Sequence, residues 1–446
     1  MTRLRVDAAA LLLLLAPVCS AGEWAYRPLV EQDDSFVGFV GSPIINNAGD
    51  VVFVAEVFDD DGPRPDLGLF RTAGDSIEQV AFSNGLSPYR DASFAQFPLL
   101  SDSGQVAFYA VSFLHGAGMF TGPDPAVDSI VNQVADGVTG VGLFPAMNRL
   151  GDVLFQAGRP GGVSGIYSGP DPVADLLVDN SGPFLSVGTQ VDLNDHGDVV
   201  FEARLPNGEA GLYSGPDPAT DTLVDSTGPF AATFISPRIN NRGDLTFYAE
   251  LDSGVTGLFT GPDPVADLLV DDTGPFEVLG GAIVNNSGGL LFSAVFDNGR
   301  IGVFDGTDVD EDRVVGTGDP LFGSIVTEIA AYDAYNDAGQ FAFRYALADG
   351  REGIAIAAPI RPGDYNRDGA VDALDYHLWR SQYGTPVAAP GDQSDGNSDG
   401  VVDAADYTVW RDALAPGVGL AAPAPPACVS VVTAAALSAF MRRRPS

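Results

Sequence analysis

The segment NDHGDVVFEARL, Asn194 to Leu205, decides the fold, because the chain keeps repeating its first eight residues. Asn followed three residues later by Gly suits a type I turn, with the Asn side chain bonding its own backbone and the Gly taking the left-handed conformation. After the turn the residues alternate with the period of a strand. Val199, Phe201, Ala203 and Leu205 point one way; Val200, Glu202 and Arg204 point the other. The unit recurs as NNAGDVVF (46–53), SDSGQVAF (101–108), NRLGDVLF (148–155), NNRGDLTF (240–247), NNSGGLLF (285–292) and NDAGQFAF (336–343). The glycines Gly49, Gly104, Gly151, Gly197, Gly243, Gly288 and Gly339 are spaced by 55, 47, 46, 46, 45 and 51 residues. Repeats of this length indicate a propeller or a solenoid.

Each copy continues in the same way. A short Gly-apolar-aromatic strand follows, as in Gly211-Leu212-Tyr213, and then a Gly-Pro-Asp-Pro turn at 122–125, 169–172, 215–218 and 261–264. Proline lacks a backbone donor and ends pairing there. A further strand such as Asp267 to Asp271 closes on Gly-Pro-Phe at 182–184, 228–230 and 274–276, and the stretch before the next Asn makes a fourth strand. Four strands per copy and seven copies predict an all-β fold, a seven-bladed β-propeller over residues 22–358. An open β-solenoid would satisfy the same period. Closure favours the propeller: the seventh copy stops after Gly353 to Ala357, and Tyr26 to Phe36 resembles the strand it lacks. The block resembles a bacterial family of tandem NxxGxxxF repeats with a variable choice of C-terminal anchor, over roughly residues 23–358, with Ser101 in place of one Asn. That resemblance implies a surface-anchored β-repeat protein and no reaction.

A second pattern lies at 364–375, DYNRDGAVDALD, and recurs at 395–406, DGNSDGVVDAAD. Calcium takes six to eight oxygen ligands, and a twelve-residue loop supplies them at fixed positions. Positions 1, 3, 5, 9 and 12 are Asp364, Asn366, Asp368, Asp372 and Asp375, then Asp395, Asn397, Asp399, Asp403 and Asp406. Position 7 offers a backbone carbonyl, from Ala370 and Val401, and position 6 is Gly369 or Gly400. Each loop gathers four carboxylates whose repulsion a cation would relieve, so two Ca2+ sites are expected. Asp rather than Glu at position 12, with the matching helices DYHLWR (375–380) and DYTVWR (406–411), resembles a type I dockerin over residues 361–416. That resemblance implies a cohesin-like partner, contacted at loop positions 10 and 11: Ala373, Leu374, Ala404 and Ala405. Tyr376, Trp379, Tyr407 and Trp410 are expected to pack the two copies together.

The ends read as addresses. Residues 1–21 carry Arg3 and Arg5, an apolar run from Ala8 to Ala16 and small residues up to Ala21, a secretory signal peptide. A Pro/Ala/Gly linker at 417–426 leads into an apolar tail at 427–446 closed by Arg442, Arg443 and Arg444. The tail resembles a PEP-CTERM sorting signal, with Ala424-Pro425-Pro426 where the motif has Pro-Glu-Pro. It is the one segment expected to meet a membrane. Cys19 and Cys428 both lie in these ends, so no disulfide is expected between them.

The net charge is −38, from 60 Asp+Glu against 22 Lys+Arg. That excludes nucleic acid, which needs clustered Lys and Arg. His115, His196 and His377 show no metal-ligand spacing, and no nucleophile or nucleotide motif is present. No catalytic residue is nominated. Each Asp of a Gly-Pro-Asp-Pro turn reads as a turn-former, and the acidic runs 59–61 and 305–312 read as solvated loops or extra calcium sites. The expectation is an exported, surface-attached binding protein, not an enzyme. Its propeller would present a glycan- or protein-binding face and its calcium module would dock to a partner. Two alternatives stand beside it: a carbohydrate-active enzyme carried by the dockerin, and a coat or matrix protein whose module self-associates.

Overall fold

The computed structural model describes residues 24–414, apart from 34, 59–64, 75, 84–86, 91–97, 333, 367–370, 388–393, 398 and the side chains of 90 and 232. The proposed signal peptide, linker and tail therefore lie outside the described residues. The chain divides into two compact units, Met1–Ile360 and Arg361–Ser446.

The first unit is a seven-bladed β-propeller built from seven antiparallel sheets. The fourth blade shows the plan. Its innermost strand Ser186–Leu193 precedes the Asn turn, Val199–Arg204 follows it, then Ala210–Tyr213, and Thr222–Asp225 is outermost. The seven motif glycines all have positive φ, between 77° and 95°, as the turn requires. In the turn region after the third strand, Asp175, Asp221 and Asp267 accept the N–H of Asp171, Asp217 and Asp263 at 2.8–2.9 Å. Their carboxylates lie so close to Gly169, Gly215 and Gly261 that a Cβ there would meet them at 2.4–2.5 Å. The acidic run at 305–312 forms the same turn, with the Asp308 N–H on Asp312.

Each motif Phe is buried in a blade core. In five blades it belongs to an aromatic trio whose third member comes from just before or from the first residue of the innermost strand. Phe184 packs edge-on against Phe201 and Tyr213 at 6.0 and 4.8 Å, and Phe230 against Phe247 and Phe259 at 5.9 and 5.1 Å. The Gly-Pro-Phe segment thus starts the next blade's core as well as ending a strand. Phe36 plays the same part in the first blade, against Phe53 and Phe70.

The ring closes as the sequence suggested. Trp24–Glu31 pairs antiparallel with Glu352–Pro359 and becomes the outermost strand of the seventh blade. Tyr26 donates its hydroxyl to the Val314 carbonyl of the sixth blade, and Tyr345 donates to Glu31 at 2.9 Å.

Three features depart from expectation. Val200, assigned to a polar face, is fully buried, because a blade lies between two others and both its faces meet apolar neighbours. Leu205 falls outside the strand. The innermost strand is also broken in two blades. Tyr89–Arg90 and Leu99–Leu100 both pair with Val106–Ser112, and Gly140–Val141 and Ala146–Met147 both pair with Val153–Arg159.

The second unit contains two short helices, α1 (Ala373–Gln382) and α2 (Ala404–Ala413). Among the described residues no helix is long and apolar enough to cross a membrane.

Candidate functional sites

The module of α1 and α2 is built twice over. Asp372 and Asp403 cap the helices, each accepting the N–H two residues on at 2.7 Å. Asp375 and Asp406 complete the capping boxes and reach back across the loops. Asp375 accepts the Asn366 and Asp372 N–H groups at 3.0 and 2.8 Å; Asp406 accepts those of Asn397 and Asp403 at 3.0 and 2.7 Å. The halves interlock through tryptophan. Trp379 donates its indole N–H to the Asp403 carbonyl at 2.9 Å, and Trp410 donates to that of Asp372 at 2.7 Å. Tyr376 lies against Trp410 and Trp379 against Tyr407, at 5.3 and 5.2 Å. Gly363 has φ 86° and its Cβ would lie 2.8 Å from the Trp410 Cα, so no side chain fits.

Of the candidate ligands, Asp364, Asp375, Asp395 and Asp406 are buried, at 4 % exposure or less. Asp372 and Asp403 are half-buried, and Asn366, Asn397, Asp399 and Val401 are exposed. Asp368 and Ala370 lie outside the described residues. In the second loop Asp395 accepts the N–H groups of Asp399 and Gly400 at 3.1 and 2.8 Å. Among the described residues no three carboxylate, imidazole or thiol groups converge as a metal cluster. The donor set still suits a hard divalent cation. It is all oxygen, and buried ionised carboxylates need a compensating charge. Burial raises the Asp406 carboxyl above its ordinary range, a burden that a bound cation would lift. The expected partner-contact residues sit at the helix starts: Leu374 and Ala404 are exposed, Ala373 and Ala405 half-buried.

The propeller's own candidate site is its central channel, a cavity of about 820 Å³ lined by the innermost strands and Asn turns. One level is closed by hydrogen bonds from blade to blade. The Asn194 amide donates to the Asn240 carbonyl, Asn240 to Asn285, Asn285 to Asn336 and Asn336 to Asn46, at 2.9–3.0 Å. Asn46 donates to Ser101 at 2.9 Å and Asn148 to Asn194 at 3.2 Å. The residue after each Asn forms a second belt. The backbone N–H groups of Asn47, Arg149, Asp195, Asn241, Asn286 and Asp337 donate to the side chains of Asp102, Asp195, Asn241, Asn286, Asp337 and Asn47. Asp102 donates instead to the Arg149 carbonyl at 3.0 Å, and Arg149 crosses the channel to pair with Asp337. The repeated Asn is therefore the clamp between blades as well as a turn residue. The second belt escaped the sequence reading, although Asn or Asp follows the first motif position in every copy but NRLG.

At another level the innermost strands bulge, between Val40 and Ile44, Val187 and Val191, Ile235 and Arg238, and Leu279 and Ala282. Here Gln190 accepts the Ser236 N–H at 2.6 Å, Asp192 accepts the Ile239 N–H at 2.8 Å, and Arg238 donates to the Tyr332 hydroxyl at 3.0 Å. No sequence signal marked these residues, because their positions are set by the bulges.

Comparison with known families agrees with this division. Residues 362–415 match the dockerin type I domain, so the second unit carries a type I dockerin, a domain that binds calcium and docks to cohesin partners. Residues 20–161, which include the first three repeat turns, match a family of unknown function, DUF7453. No curated protein matches the chain.

Proposed function

We propose that this chain is an exported protein, held at the cell surface or outside the cell. Its propeller presents a binding face for a glycan or protein, and its dockerin docks it to a cohesin-bearing partner with two bound calcium ions. The observation that carries this reading is the duplicated loop-and-helix module with matching caps and interlocked tryptophans. One ion would be held by Asp364, Asn366, Asp368, Asp372, Asp375 and the Ala370 carbonyl. The other would be held by Asp395, Asn397, Asp399, Asp403, Asp406 and the Val401 carbonyl. Ala373, Leu374, Ala404 and Ala405 would meet the partner. A signal peptide at 1–21 and a sorting tail at 427–446 would account for export and attachment.

A binding role suits the propeller better than catalysis. Asp102, Asp192 and Asp195 converge on the channel, but each accepts a backbone N–H from another blade. Each of the three thus takes part in bonding between neighbouring blades.

Calorimetric titration of the full chain with calcium tests the module. Two ions should bind per chain, and Asp375→Asn and Asp406→Asn should each remove one. Capture by a recombinant cohesin should occur in calcium and fail in chelator. Binding of cohesin that ignores chelator, or no binding at all, would remove the docking role.

A further inference from the structure

We infer that the bulged level of the propeller channel is a binding site for the end of a neutral saccharide, read by Gln190, Asp192, Arg238 and Tyr332. This rests on the reading of the propeller as a glycan-binding unit and names the site and the ligand class.

The volume fits. Small-molecule sites fall between about 300 and 1,000 Å³, and the channel's is about 820 Å³. At the belt level the Asn side chains are spent on one another and on their own turns, so recognition there has few groups to use. The bulged level differs. Bulges re-aim side chains and gather beside functional sites. Ser236 sits at φ 51°, a strained value for a residue with a side chain, and strain of this kind marks sites whose surroundings hold them in place. Gln190 of the fourth blade does the holding, through the Ser236 N–H.

The sixth blade makes room. It places Gly280 and Gly281 at this level, and a Cβ on Gly281 would lie 3.1 Å from that of Ser236 and 3.7 Å from the Tyr332 ring. Through this gap Arg238 of the fifth blade reaches Tyr332 of the seventh, bonding its hydroxyl and lying over its ring at 5.6 Å. Gln190, Asp192, Arg238 and Tyr332 are all half-buried and all line the cavity, with Phe144 and Ser42 on its wall.

The chemistry of the group selects the ligand. A guanidinium only donates hydrogen bonds, a carboxylate only accepts them, and an amide does both. Each is planar, carries more than one polar atom and lines the cavity beside the bonds it makes within the channel. Hydroxyls donate and accept, and match all three. A charged ligand suits the channel less well. An anion would meet Asp102, Asp192 and Asp195; a cation would meet Arg149 and Arg238. The apolar wall, with Phe144, takes the C–H face of a sugar ring.

The test uses the full chain, first on an array of neutral, uronate-bearing and sialylated oligosaccharides, then by calorimetry with the best neutral oligosaccharide. The expected result is a neutral hit whose affinity falls at least tenfold in Arg238→Gln, falls measurably in Tyr332→Phe, and is lost in Ser42→Trp, which fills the channel. Thermal melting checks the fold of each variant. Should Arg238→Gln melt early, Tyr332→Phe, which removes one hydroxyl, carries the comparison. Saccharide binding that survives both Arg238→Gln and Ser42→Trp overturns the channel site while leaving the glycan reading standing. A preference for uronate or sialylated chains overturns the neutral class. No saccharide bound, by a chain whose dockerin still takes calcium, rejects both the site and the glycan reading.

Discussion

Asn240 is buried and uses both ends of its amide. Its oxygen accepts the Arg242 and Asp244 N–H groups at 2.9 Å, and its nitrogen donates to the next blade. Replacing it with Ala takes the acceptor from the Arg242 and Asp244 N–H groups and removes the bond to the Asn285 carbonyl, which keeps the Gly288 N–H; such losses cost up to about 1–3 kcal/mol each before relaxation. Asn240→Ala should therefore cost about 2–4 kcal/mol in chemical denaturation, whereas exposed Asn207→Ala in a strand connection should cost far less. Ser101 marks the weak rung. It holds its own turn through its hydroxyl, which accepts the Gln105 N–H at 3.0 Å, but has no amide to reach the third blade. Ser101→Asn should raise stability by about 1 kcal/mol if the belt is cooperative; an unchanged melting temperature would show that the Asp102-to-Arg149 backbone bond already suffices.

Among the strands, the turn that opens at position 305 shows how one residue departs from its repeats. Thr121, Ser168, Ser214 and Thr260 donate their hydroxyls to a carbonyl seven residues on. The sixth blade has Asp305 at this position. An ionised carboxylate cannot donate that bond, and burial together with the Asp312 charge pushes Asp305 up to about 6. A carboxyl whose folded pKa lies above its unfolded value holds its proton more tightly in the folded state. Its contribution to stability is therefore best at low pH and is lost as pH rises from about 4 through about 6. Asp305→Ser should stabilise the protein at pH 7.5 and change it little at pH 4, so the melting-temperature difference from wild type should grow across that window. A constant difference would rule out titration as the cause.

For the whole molecule, closure and calcium act on different units. Deleting residues 24–31 would remove the outermost strand of the seventh blade and the contacts of Val30 with the first blade's core. The propeller should then melt at a markedly lower temperature, by calorimetry, while calcium binding stays intact. The dockerin has a single small core around Trp379 and Trp410, too little to hold a module of this size firmly. Chelation should change tryptophan fluorescence, since two of the three tryptophans lie in that core, and lower one melting transition without moving the other. Coincident shifts of both transitions would contradict a calcium effect confined to the dockerin.

The sequence by itself determined the blade plan, its closure and the dockerin. A turn that needs Gly at positive φ, a strand that needs an apolar residue at every second position and a loop that needs oxygens at fixed spacing are local requirements, and local requirements leave a readable pattern. Even Phe36 and Tyr26 were legible, because the segment they bound, Tyr26 to Phe36, copies one seen in the other blades. Only the tertiary structure decided what faces what. Val200 is buried because blades stack on both sides of it, and the repeated Asn spans two blades because the ring brings the turns together about one axis. Gln190, Asp192, Arg238 and Tyr332 line one level of the channel because bulges and a glycine pair shape it, and although they follow the repeat spacing, the residue types at these positions change from blade to blade, so no motif marks them.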